Sequence, residues 1–218
     1  MPGAPLRWMA AAASALFFAL PELCGAQSGA PVPKPEVKAG DRWTYHRMNY
    51  WANKPEFTYE LTATFADRNV IQGVATRKGG EKELDATWTS EWNAVSTADG
   101  GVFETSSGML KFPLEIGAQH TAAYDLLRPG VAGGRGAFRV KHRRTVKVIG
   151  WEDVVVPAGK FRALKIEANG TFERIDSNLS GLVTSAYWYA PEVKRWVKYM
   201  YDDTYNKNGD ELVDFKIQ

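Results

Sequence analysis

The sequence contains three histidines and one cysteine, the residue types that most often bind transition metals or serve as catalytic bases and nucleophiles. His46, His120 and His142 are far apart along the chain, and no two of them have the spacing of a zinc site. No Gly-x-Ser-x-Gly motif occurs, and Ser106-Ser107-Gly108 has the composition of a β-turn. We therefore predict no catalytic residue, no metal site and no cofactor, and we favour a protein that is not an enzyme.

A run of basic residues at 139–144 carries enough charge to attract an anion. On a β-strand, Arg139, Lys141 and Arg143 point to one side of the sheet and Val140 points to the other. Such a face is either a solvated surface that discourages edge pairing or a patch for phospholipid headgroups or acidic polysaccharide. We name Arg139, Lys141 and Arg143 as the predicted anion patch. The formal net charge of +2 does not indicate a nucleic-acid partner.

Aromatic residues give the sequence its strongest binding signal, with eight tryptophans and nine tyrosines. On a strand, Tyr187 and Tyr189 point to one side and Trp188 to the other. Large rings on both sides of a strand exceed what one core requires, so one face either fills the core or lines a cavity for an apolar ligand. The predicted ligand-binding residues are Trp43, Trp88, Tyr187, Tyr189 and Trp196.

The N-terminus has the composition of a secretory signal peptide. Arg7 precedes the apolar run 8–20, and small residues follow at 24–26. The run is shorter than the about 20 residues of a transmembrane helix. We expect a signal peptide at residues 1–26, cleavage near Ala26 and a periplasmic or secreted protein with no transmembrane helix. Residues 21–23 match a lipobox poorly, which disfavours lipid anchoring at Cys24.

The elements that position these residues are predicted to be β-strands. Residues 57–65 alternate, with Phe57, Tyr59, Leu61, Ala63 and Phe65 on one face. Similar segments recur between short polar turns, and no segment has a convincing helical period. We predict a flexible leader at 27–39 and a single all-β domain at 40–218. Its expected form is a strongly curved antiparallel sheet or half-open β-barrel of about ten strands with little helix.

Three sequence motifs carry a family resemblance: GDRWTY at 40–45, VVVPAGKF at 154–161 and YWYAPEVK at 187–194. Together they resemble bacterial periplasmic all-β proteins of unknown function that share a TapB-like C-terminal motif. The pattern is also distantly similar to the open β-barrels of the LolA and LolB lipoprotein carriers. In the family a glycine follows the proline, whereas this sequence has Glu192. The resemblance implies a fold and a compartment, and it implies no activity.

These features favour a cell-envelope protein that binds an apolar or amphipathic ligand, or a partner protein, without catalysis. The expected partners are a lipid or lipoprotein ligand and an envelope protein. One alternative is a structural or assembly factor that pairs through an exposed sheet edge. The least favoured alternative is an envelope hydrolase, because the sequence shows no nucleophile and base at suitable spacing.

Overall fold

The computed structural model describes residues 29–80, 83–130 and 136–218, so the predicted signal peptide and Cys24 lie outside the described residues. Twelve antiparallel strands follow one another around a single sheet, which closes because the first strand pairs with the last. The strands are β1 (Arg42–Asn49), β2 (Lys54–Ala66), β3 (Val70–Arg77), β4 (Glu83–Thr89), β5 (Ala94–Ser96), β6 (Val102–Phe103), β7 (Gln119–Arg128), β8 (Phe138–Val156), β9 (Gly159–Arg174), β10 (Ser180–Ala190), β11 (Arg195–Asp202) and β12 (Lys207–Lys216).

The predicted all-β barrel class is confirmed, with twelve strands rather than about ten. The count differs mainly because β5 and β6 are very short strands in a segment whose sequence shows no clear alternation. Within the described residues, helix is limited to a single 3₁₀ turn, Pro191–Val193, between β10 and β11. No helix in this part of the chain is long and apolar enough to cross a membrane.

Strand β2 shows where simple alternation fails. Tyr59, Leu61 and Ala63 follow the predicted pattern, and Leu61 and Ala63 are buried. A bulge between Ala63 and Phe65 then breaks the register with β3. A bulge inserts one extra residue and turns the following side chains to the other face. Phe65 is consequently 47% exposed instead of joining the inner face with Phe57.

One end of the barrel is closed by the segment between β6 and β7. Met109, Leu110 and Leu114 of this segment are buried in the core. The Asn93 amide holds the segment in place, since its Nδ2 donates to the Leu110 carbonyl and its Oδ1 accepts from the Leu110 amide, both at 2.7 Å. Residues 29–39, the predicted leader, also lie at this end, where Val32 is buried and exchanges two 2.9 Å backbone hydrogen bonds with Leu114.

The opposite end carries hairpin turns. The turns between β1 and β2 and between β11 and β12 expose Trp51 and Tyr205 there. Because the sheet is closed, every described strand has a hydrogen-bonded neighbour on each side. The alternative of pairing through a free sheet edge was therefore based on an edge that the closed barrel does not provide.

Candidate functional site

Four tryptophans pack inside the barrel near its closed end, and we call them the tryptophan floor: Trp43, Trp88, Trp92 and Trp196. Trp92 lies at the centre, with its ring centroid 5.3 Å from Trp43, 5.4 Å from Trp88 and 6.1 Å from Trp196. Two indole N–H groups are satisfied by the 3₁₀ turn and its end. Trp43 Nε1 donates to the Val193 carbonyl at 2.8 Å, and Trp92 Nε1 donates to the Lys194 carbonyl at 2.7 Å. The floor is a packed layer, in which the buried Trp196 Nε1 has no hydrogen-bond partner.

Arg195 lies within the tryptophan floor and is 3% exposed. Its guanidinium carbon is 3.9 Å from the Trp196 ring centroid, 4.1 Å from that of Trp92 and 5.1 Å from that of Trp88. Its Nε and Nη1 have no hydrogen-bond partner. Burial lowers the pKa of Arg195, but a guanidinium stays charged in proteins. The aromatic faces and the Tyr45 hydroxyl, to which Arg195 is hydrogen-bonded, stabilise this buried cation.

Above the floor, the inner wall carries a set of tyrosines that we call the tyrosine chamber: Tyr59, Tyr124, Tyr187, Tyr199 and Tyr201. The rings of Tyr187 and Tyr199 are 4.8 Å apart. Burial raises the pKa of Tyr187 to about 12 and that of Tyr199 well above its ordinary value. All five side chains are nevertheless only half-buried. These rings form the inner wall between the tryptophan floor and the hairpin-bearing end.

The two cations of the tyrosine chamber, Arg47 and Arg144, differ in their partners. Arg47 donates to Asp210 at 3.2 Å and to Asn208 at 2.9 Å, so the buried Asp210 already has a cationic partner. Arg144 is 2% exposed, and its Nη2 donates to the Ala168 carbonyl at 2.7 Å and to Ser185 Oγ at 2.8 Å. Both acceptors are neutral, Nε has no partner, and Arg144 forms no ion pair within the described residues. Asp203, the other carboxylate at the chamber, accepts a hydrogen bond from the Tyr201 hydroxyl at 3.1 Å, so Arg144 is a chamber cation without a carboxylate partner among the described residues.

His142 lies beside Arg144 on the inner face of β8. Its ring stacks on Tyr124 with 4.8 Å between centroids, and its Nδ1 has no hydrogen-bond partner. Burial, together with the positive charges of Arg144 and Arg128, lowers the pKa of His142 to about 4. The imidazole is therefore neutral at pH 7 and adds no charge to the chamber.

The predicted ligand-binding residues all point into the barrel, but they divide between its two regions. Trp43, Trp88 and Trp196 belong to the packed floor, whereas Tyr187 lines the chamber. Tyr189 is 1% exposed and packs edge-on against Phe112 at 5.5 Å, on the side of the closed end. Trp188 lies on the outer surface, where its Nε1 donates to Glu152 at 2.7 Å.

The predicted anion patch lies on the outer face of β8. Arg139, Lys141 and Arg143 are exposed. Arg139 donates to Glu104 at 2.5 Å and to Asp125 at 3.2 Å, so much of its charge is neutralised. Lys141 and Arg143 form no ion pair among the described residues, and the anion patch stays a prediction.

The sequence pattern did not identify Arg144 and Arg195 as functional residues. Arg144 belongs to the basic run at 139–144, but it alternates in phase with the buried Val146 and Val148. This phase relationship was the available signal for an inward-pointing cation. Arg195 follows a proline-containing turn, and nothing in its sequence context indicates burial.

No metal centre is found within the described ranges, which contain no group of three or more His, Cys, Asp or Glu side chains placed to hold an ion. The other two histidines make separate contacts. His46 Nδ1 lies 2.8 Å from Thr58 Oγ1, and His120 Nε2 lies 3.0 Å from the Gly108 carbonyl oxygen. Each of these two rings thus contacts a different polar group.

Two solved structures share this fold. One is a candidate lipoprotein from Parabacteroides distasonis with a TM-score of 0.52 and 13% sequence identity. The other is a candidate exported protein with a YmcC-like fold from Bacteroides fragilis, with a TM-score of 0.53 and 14% identity. Each match covers 86% of this chain and 100% of the other chain. At such low identity the similarity shows the fold alone.

No protein-family model and no curated protein matches the sequence. The all-β barrel part of the predicted resemblance is supported by the solved structures. The narrower resemblance to proteins with a TapB-like motif and to the LolA and LolB carriers receives no support from these comparisons and stays a prediction.

Proposed function

We propose that this protein is an exported envelope protein that binds one amphipathic ligand inside its barrel, without catalysis. The observation that carries the proposal is the tyrosine chamber, whose inward-pointing rings keep accessible surface above a closed floor. Aromatic rings with few, well-placed polar groups are the usual lining of a small-molecule site. The apolar part of the ligand would contact these rings.

The closed end supports binding from the opposite, hairpin-bearing end. The tryptophan floor and the buried residues Leu110 and Leu114 fill the barrel at the closed end. A ligand would therefore enter between the hairpins and stop above Arg195. Large rings from several strands line this route, including Tyr124 of β7 and Tyr201 of β11.

The compartment is the second part of the proposal. It rests on the composition of the N-terminal segment and on the fold shared with a candidate exported protein and a candidate lipoprotein. We propose cleavage near Ala26 and release into the periplasm or the medium. N-terminal sequencing of the protein recovered from a periplasmic extract tests this, and an uncleaved or lipid-modified N-terminus would contradict it.

Native mass spectrometry of protein purified from the periplasm tests the binding proposal. We expect a population heavier than the polypeptide by a fixed mass, which disappears after organic extraction and refolding. The extracted protein should then bind an added alkyl probe, such as 1-decanol or decanoate, with a change in tyrosine and tryptophan fluorescence. Absence of both a co-purified mass and probe binding would overturn the proposal. Co-purification of another polypeptide without a small molecule would instead favour an envelope protein partner.

A further inference from the structure

We propose that Arg144 binds the anionic headgroup of the ligand, which makes the ligand an amphipath ending in a carboxylate or a phosphate monoester. This inference rests on the proposed function and names the chemistry of its site. It assigns the polar end of the ligand to one residue of β8 and the apolar end to the tyrosine chamber.

The first argument is the missing counter-charge of Arg144. A charge taken out of water is costly unless it is paired and hydrogen-bonded. Arg144 is 2% exposed and forms no ion pair with any described residue, whereas the neighbouring cation Arg47 pairs with Asp210. Asp203, the other carboxylate at the chamber, accepts a hydrogen bond from the Tyr201 hydroxyl and forms no ion pair with Arg144. A ligand anion would supply the counter-charge that the described residues do not.

The second argument is the orientation of Arg144. The wall holds one edge of its guanidinium, because Nη2 donates to both the Ala168 carbonyl and Ser185 Oγ. The Tyr124 hydroxyl is a further hydrogen-bond partner of Arg144. Nε is buried and has no partner. A side chain fixed by neutral acceptors, with one donor left without a partner, can give that N–H to an oxyanion in a charge-assisted hydrogen bond.

The third argument separates Arg144 from the other cation without an ion pair. Arg195 also has free donors, but aromatic rings lie 3.9 to 5.9 Å from its guanidinium carbon and occupy the space around it. An anion would have to displace those rings to reach Arg195. Arg144 is as buried as Arg195, but its neighbours Tyr187 and Tyr201 keep accessible surface, so the anion site is assigned to Arg144.

Binding of four probes by isothermal titration calorimetry tests the assignment: decanoate, decyl phosphate, 1-decanol and inorganic phosphate. The proteins are the wild type, Arg144→Gln and Arg143→Gln, in which the adjacent outward-pointing arginine is the matched control. We expect the wild type to bind decanoate and decyl phosphate about 10- to 100-fold more tightly than 1-decanol, as one charge-assisted hydrogen-bonded contact provides. Arg144→Gln should remove this preference, and Arg143→Gln should keep it.

The outcomes separate the two proposals. Equal binding of decanoate and 1-decanol by the wild type would overturn the role of Arg144 and leave the proposed function intact. No binding of any alkyl probe would overturn the proposed function. Binding of inorganic phosphate as tight as that of decyl phosphate, lost in Arg144→Gln, would support the anion site and overturn the apolar site.

A wild-type measurement keeps the test valid if Arg144→Gln does not fold. The groups that act on the charge of His142 are Arg144, Arg128, Asp203 and Asp125. An anion bound at Arg144 adds a negative charge next to this ring, so decyl phosphate, which stays anionic at pH 4, should raise the His142 pKa from about 4 in an NMR titration. 1-Decanol should leave it unchanged. An identical His142 titration with both probes would overturn the assignment.

Discussion

Two arginines are buried inside this barrel without an ion pair among the described residues, and their surroundings differ. Arg195 in the tryptophan floor is enclosed by ring faces, the nearest of them Trp196 at 3.9 Å. Arg144 in the tyrosine chamber is held by a carbonyl and a hydroxyl, those of Ala168 and Ser185. The first cation is stabilised by the π-electrons of its own protein. The second receives only neutral hydrogen bonds.

This difference teaches that a buried charge alone does not identify a binding site. The groups around the charge determine whether the charge is stabilised within the core or is available to a ligand. In the floor, the charge and its compensation are both part of the fold, so substitutions there should act on stability. In the chamber, the compensation is incomplete, so substitutions there should act on ligand binding and on the dependence of stability on pH.

The largest expected effect is on the floor itself. Trp43 is fully buried, and its Nε1 donates to the Val193 carbonyl. Trp43→Ala should lower the free energy of unfolding by about 5 kcal/mol, because it leaves a cavity and an unsatisfied carbonyl. Urea denaturation measures this. Trp51→Ala is the control, since Trp51 is 65% exposed, and its effect should stay within about 0.5 kcal/mol. Similar effects of both substitutions would show that the floor is not a packed layer.

The next largest effect tests the chamber through pH. The His142 pKa is about 4 in the folded protein and near 6.5 in the unfolded chain. Between these two pH values the unfolded chain binds a proton at His142 and the folded protein does not. The free energy of unfolding should therefore fall as the pH drops from about 6.5 to 4, by about 3 kcal/mol in total. His142→Phe keeps the stacking with Tyr124 and Phe172 and should remove this part of the profile. Wild-type and variant profiles of the same slope over that range would contradict the buried, neutral histidine.

The barrel class could be predicted from the sequence because strand alternation and turn residues are local signals. Alternation also placed Tyr187 and Tyr189 inside and Trp188 outside. It failed at Phe65, where a bulge that leaves no mark in the composition changes the face. It also did not reveal the short strands β5 and β6, whose pairing depends on the register of their neighbours.

The division of the interior into floor and chamber could not be predicted, because it depends on contacts between residues far apart in sequence. Trp92 shows this most clearly. It adopts a φ of 63°, a conformation uncommon for a bulky residue, and its indole donates to Lys194 more than a hundred positions away. Arg144 was within reach of the sequence, since it shares the phase of Val146, but only if the basic run had been divided by strand face.

A moderate effect should come from adding volume beside the floor. A methyl group on Gly73 would lie 2.9 Å from the Thr62 carbonyl oxygen and 3.3 Å from the Trp88 ring. Gly73→Ala should therefore lower the free energy of unfolding by about 1–3 kcal/mol through overpacking. Gly136→Ala is the control, because no described atom beyond its chain neighbours lies within 4 Å of the added carbon. If Gly73→Ala were as mild as its control, Trp88 would have room to move, and the contrast between a filled floor and an open chamber would weaken.

The smallest expected effect separates charge outside the barrel from charge inside it. Lys141 and Arg143 are exposed on the outer face of β8, on either side of the inward-pointing His142. Each cation near an anionic lipid surface contributes about 1 kcal/mol to binding. The double variant Lys141→Gln, Arg143→Gln should therefore weaken the free energy of binding to anionic vesicles at low salt by about 2 kcal/mol or less. It should leave binding of decanoate unchanged, because neither residue faces the chamber. Loss of decanoate binding in this variant would show that the outer patch, rather than Arg144, attracts the anion.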